Sequence, residues 1–73
     1  MRHVIVCENY PIAQRVRELI GGAVDVIPLK KALMGIHYDS ALLAVPRLLT
    51  EQEEEWVNTT LANKLSPGSV VNR

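Results

Sequence analysis

Aromatic residues are scarce in this chain. It has no phenylalanine, one tryptophan and two tyrosines, so its interior has to be filled with aliphatic side chains. Cysteine is scarcer still. Cys7 stands alone, which excludes an internal disulfide and fits a reducing compartment. No sign of charge dominates, since eight Lys and Arg balance eight Asp and Glu. That balance argues against a general nucleic-acid binder, whose footprint is a basic patch. No apolar run approaches the roughly 20 residues of a membrane span. Only about four apolar residues follow the first charged ones, too few for a signal peptide. The expected location is the cytoplasm, with no membrane contact.

Several chemistries lack their residues. Phosphate cradles need glycines that let backbone N–H groups approach an anion. The turn Cys7-Glu8-Asn9-Tyr10-Pro11 has none, and Glu8 would repel an anion. His3, His37 and Cys7 show no close metal-ligand spacing. No serine lies in a Gly-x-Ser-x-Gly turn, and neither histidine has a predictable place beside Cys7. The expectation is a chain without catalytic residues, metal site or cofactor.

What is present organises itself around the first 22 residues. Val4, Ile5, Val6 and Cys7 form an apolar run without alternation, as in a strand covered on both faces. Asn9 or Tyr10 can cap a helix, and Pro11 suits its first turn. Ile12, Val16, Leu19 and Ile20 recur at helical spacing, and Gly21-Gly22 supplies the stop. Strand, tight turn and helix read as the first half of a β-α-β unit.

The remaining residues continue the alternation. Residues 23–27 make a second strand that Asp25 assigns to a sheet edge, with Pro28 closing it. Leu29, Ala32, Leu33 and Ile36 have helical spacing and predict a short helix that Gly35 limits to about two turns. Residues 41–45 are the most apolar short run and predict a central third strand. Thr50 and Glu53 form a capping box before Val57, Leu61 and Leu65, so a third helix starts there and stops at Ser66-Pro67-Gly68. Residues 69–71 are a last strand. The order β-α-β-α-β-α-β predicts one α/β domain over residues 1–73: a small, mostly parallel four-stranded sheet of order 2-1-3-4 with three helices. Ile5 and Leu42 then lie in adjacent strands, and truncating either to alanine should cost roughly 2–5 kcal/mol.

On these residues a resemblance can be stated. Residues 4–20 resemble the opening of a response-regulator receiver domain, in which an apolar strand ends in an acidic pair and a proline soon starts a helix. Ala32-Leu33 and residues 39–46 extend the likeness to a second helix and third strand, so that it spans residues 4–46. The resemblance implies a truncated, flavodoxin-like fold. It also implies degeneracy, because Asn9 stands where the second acid would be and Ala44 where the phosphate-accepting aspartate would be.

Ligands of open α/β sheets sit beyond the carboxyl ends of the strands. That places Glu8, Asn9, Tyr10 and Arg47 as candidate ligand-binding residues. A four-stranded sheet with one helix on one of its faces leaves part of that face uncovered. The exposed apolar residues would come from among Ala41, Leu42, Leu43, Val45, Val70 and Val71, and two copies could close the face around a two-fold axis. The first functional reading is therefore a non-catalytic protein–protein interaction module, itself a homodimer, that binds another protein. Chains of this size are often accessory factors of phages or mobile elements. A second reading is a degenerate receiver-like or small-ligand-binding regulatory domain that uses the strand-end crevice. A third is a weak nucleic-acid binder acting through Arg15, Arg17 and Lys30.

Overall fold

A computed structural model describes residues 2–73. Strand β1 (His3–Cys7) runs into helix α1 (Tyr10–Ile20) through a two-residue turn. Asn9 caps that helix, its Oδ1 accepting from the Ile12 N–H at 3.0 Å, and Pro11 lies in the first turn. Gly21 ends it at φ 74°, with its N–H donating to the Arg17 carbonyl. Any other residue would be strained in that left-handed conformation.

Strand β2 (Asp25–Pro28) pairs in parallel with β1 and forms one edge of the sheet. The helix expected over residues 29–36 is absent, so the described residues form two helices and not three. Lys30 has φ 65° and Gly35 φ 71°, and a left-handed residue one step after Leu29 stops a helix before its first turn closes. The apolar residues of this segment still do their packing. Leu29 and Leu33 are buried, and Ile36 rests against the same core. The Trp56 indole N–H donates to the Lys31 carbonyl at 2.9 Å, which ties the irregular crossover to the opposite element.

Strand β3 (Ser40–Ala44) lies in parallel on the other side of β1, and β4 (Val71–Asn72) pairs in parallel with β3. The sheet is all-parallel in the order β2-β1-β3-β4. Between β3 and β4, helix α2 (Glu51–Trp56) starts at a complete Thr50–Glu53 capping box. It continues through a π-helical turn (Val57–Leu61) and a 3₁₀ turn (Ala62–Lys64).

The two helices take opposite faces. The α2 face carries the main core: Val4, Val6, Ile27, Leu29, Leu33, Tyr38, Ala41, Trp56, Val57 and Leu61. The α1 face carries a smaller one, in which Cys7, Ala13 and Val26 are buried and Ile5, Val16 and Ile20 pack round them. Burial raises the pKa of the Cys7 thiol and of the Tyr38 phenol, the latter aided by nearby Asp25. Asp39 stitches the lower end of the sheet. Its carboxylate accepts from the Arg2 N–H at 2.7 Å and from the Ser66 hydroxyl at 3.1 Å, while the Ser69 hydroxyl donates to its carbonyl. The Arg2 and Ser66 hydrogen bonds hold the Asp39 carboxyl below its ordinary pKa. Among the described residues, no helix is long and apolar enough to cross a membrane.

Candidate functional site

Two regions bear on function: the rim at the carboxyl ends of the strands, and the half of the α1 face that α1 leaves open. At the rim, the turn after β1 and the loop after β3 meet, which brings Glu8 and Arg47 together. Arg47 Nε donates to Glu8 Oε1 at 2.8 Å. Its two terminal nitrogens donate to the two oxygens of Glu53 at 2.8 and 2.9 Å, a bidentate pair. Glu53 also accepts from the Thr50 N–H at 2.8 Å as half of the capping box.

Glu53 is buried, and every described buried polar side-chain atom has a partner. The Arg47 hydrogen bonds, then the Thr50 N–H, depress the Glu53 pKa to about 2. The Arg47 pKa is raised by Glu53 and then by Glu8. One guanidinium thus lies between two carboxylates that could otherwise attract a cation. Among the described residues, no three His, Cys, Asp or Glu side chains form a metal-holding group.

The other rim candidates separate. The Asn9 amide oxygen is engaged as the α1 cap. Tyr10 opens α1 and is exposed. Ala44 is an exposed methyl at the end of β3. Glu53 is the rim residue that sequence reasoning missed. Its capping box accounted for it locally, and nothing in the spacing announced that the Pro46–Leu48 loop would fold Arg47 back over it. Leu48 is left 93% exposed while Leu49 packs against the core.

The second region follows from the sheet register. Ala41 pairs with Val71, and Leu42 with Asn72. Side chains alternate along a strand, so Leu43, Val45 and Val71 share the α2 side with Ala41 and are partly buried there. Leu42 falls on the α1 side and is 46% exposed; Val70, outside the strand ladder, is 70% exposed and lines a hollow with Val57, Asn58, Ala62 and Leu65 of the α2 side. Of the five residues expected at an interface, Leu42 stands on the open face.

Helix α1 lies over β1 and β2. The Arg17 guanidinium reaches the Val26 carbonyl of β2 at 2.7 Å, which fixes the β2-facing flank of the helix. Ile12 and Leu19 lie about 140–160° round the helix from Arg17, on the flank toward β3. Ile12 is 38% exposed and Leu19 87%. The result is a trough with a floor of Leu42 and Ala44 and a wall of Ile12 and Leu19. Polar Ser40 and His3 close its lower end, where His3 Nδ1 and the Ser40 hydroxyl share a hydrogen bond.

No protein-family model matches the chain, and no curated protein or solved structure is significantly similar to it.

Proposed function

We propose that this chain is a cytoplasmic, non-catalytic protein-interaction module, a homodimer that in turn binds another protein, with the open half of its sheet as the contact surface. One observation carries the reading. Leu42, Ile12 and Leu19, all substantially exposed, converge on one side of one sheet. Contiguous apolar surface of this kind marks interaction sites in proteins that otherwise hide it.

The rim supports the same reading by what it has already committed. Glu8 and Arg47 are paired with each other and with Glu53, and Asn9 holds a helix cap. A small ligand there would have to displace a bidentate ion pair at a buried carboxylate. The nucleic-acid reading loses Arg17, whose guanidinium is bonded to the Val26 carbonyl. Sedimentation velocity across the micromolar range tests the homodimer. The expected result is a mass that rises with concentration toward twice that of the chain. A single species of monomer mass at high micromolar concentration, with a melting temperature independent of concentration, overturns it.

A further inference from the structure

The edge of the sheet far from β4 carries a hollow of about 220 Å³. It lies along the outer side of β2, between α1 and the crossover that follows β2. The register fixes which backbone groups face it. The Leu29 N–H donates to the Cys7 carbonyl at 2.9 Å, so alternate residues of β2 counted back from Leu29 face β1, and those between face outward. Val26 therefore turns its N–H and its carbonyl away from the sheet. Arg17 takes the carbonyl at 2.7 Å. Pro28, the next outward residue, has no N–H. With one acceptor taken and one donor missing, this edge does not extend into a regular ladder. It keeps a single outward donor, the Val26 N–H, and among the described residues nothing accepts from it. Val26 is 1% exposed, so that donor lies at the bottom of the hollow, where an unpaired N–H is costly.

The charges around the hollow are unequal. Arg17 uses one N–H on Val26 and a second, at 3.4 Å, on Gln14 Oε1, out of the five a guanidinium has. The Lys31 ammonium, on the crossover side, is in no ion pair among the described residues. The one carboxylate in the lining, Asp25, is paired with Arg2 at 3.4 Å. Alternation also turns Asp25 to the other side of β2 from Val26. The rest of the lining is largely aliphatic, with Val24, Ala32, Leu33 and Ile36.

We propose that this hollow binds a small monocarboxylate with a short apolar body. The carboxylate accepts from the Val26 N–H and the Arg17 guanidinium, with the Lys31 ammonium beside it, and the body lies on Ala32, Leu33 and Ile36. Two cations without a carboxylate of their own select an anion over a neutral or cationic molecule, and the guanidinium fork matches a planar carboxylate. Size selects as well. Sites for drug-sized ligands measure roughly 300–1,000 Å³, so this one takes on the order of ten non-hydrogen atoms. So few atoms in a half-open hollow give a dissociation constant on the order of 0.1–1 mM. The hollow and the open half-face lie at opposite edges of the sheet, so this site goes beyond the interaction-module reading and does not depend on the dimer.

The test is a titration of the full chain with phenylacetate, which has this size and chemistry, followed by amide NMR at constant ionic strength. The Val26, Ala32 and Leu33 amides should shift saturably, and the Val26 N–H should move downfield as it gains an acceptor. The Trp56 indole N–H, bonded to the Lys31 carbonyl at 2.9 Å, should move with them. Phenylacetamide and phenethylamine carry the same ring without the negative charge and should bind at least about tenfold more weakly. Lys31→Gln, at an exposed position, should weaken phenylacetate binding about two- to fivefold. Ala32→Phe fills the hollow from an exposed position, leaves the donors in place and should abolish binding. Equal affinity for phenylacetate and phenylacetamide overturns the proposal, because apolar contact alone would then explain it. Shifts that fail to saturate by about 10 mM, or that Ala32→Phe leaves unchanged, overturn it too. None of these results bears on the homodimer, which sedimentation decides.

Discussion

Arg47 joins three separate pieces of chain through one planar group. Its Nε holds Glu8 after β1, and its fork holds Glu53 in the first turn of α2. Replacing it with methionine keeps most of the apolar stem of the side chain but leaves the Glu53 carboxylate buried without its main partner, and that is destabilising. The pH dependence gives this a signature. The Glu53 pKa is depressed from 4.5 to about 2, so the stabilisation is complete above about 4.5 and is lost as pH falls from there toward 2. Urea unfolding at pH 7 should therefore show Arg47→Met several tenths molar below wild type, and at pH 3 the gap should narrow. A gap that widens in acid would show that Arg47 acts by some other route. The same geometry predicts silence toward receiver-type chemistry. Glu8 is paired, Asn9 is a cap and Ala44 offers only a methyl, so magnesium with beryllofluoride should leave the amide shifts of Glu8 and Asn9 unchanged in NMR spectra. Glu8 and Arg47 were legible as rim residues because topology places strand ends together. Glu53 was not, because its local role concealed its long-range one.

The crossover between β2 and β3 shows where element-level reading runs out. Leu29, Leu33 and Ile36 have the spacing of a helix face, and the structure does bury them or pack them on the core. That spacing specifies which residues point inward, but a pinned irregular loop meets it as well as a helix does. The deciding feature is Lys30 at φ 65°, a conformation its residue type does not advertise. A non-glycine residue there costs about 1–2 kcal/mol. Glycine removes that strain and adds back about 0.4–1 kcal/mol through the unfolded chain. Lys30→Gly should thus stabilise the protein by about 0.5–1 kcal/mol, which a thermal melt reads as a rise of a few degrees. Strand β3 gives a second lesson. Its apolar run predicts a central strand with one face open, and alternate residues do diverge: Ala41 is buried and Leu42 half exposed. Leu61→Ala, at a fully buried position, should cost roughly 2–5 kcal/mol. Leu42→Ala should cost only about 1 kcal/mol in the isolated chain, less than adjacency to β1 alone implied.

At the scale of the whole molecule, strand order and the opposed helices were readable because parallel crossovers leave few topologies open. The uncovered half-face was readable for the same reason, although the flank of α1 that walls it was not. β4 is the weakest part of this surface. It has two residues, pairs only with β3 and borders the trough, so its amides should exchange fastest of the four strands in dilute protein. A second copy seated over β3 and β4 changes that ordering by mass action. Hydrogen exchange measured at low and at high micromolar concentration should therefore slow at Val71 and Asn72 as concentration rises. In Leu19→Arg the concentration dependence should vanish while β4 keeps its dilute rate. No slowing at Val71 and Asn72 would mean that the face stays open.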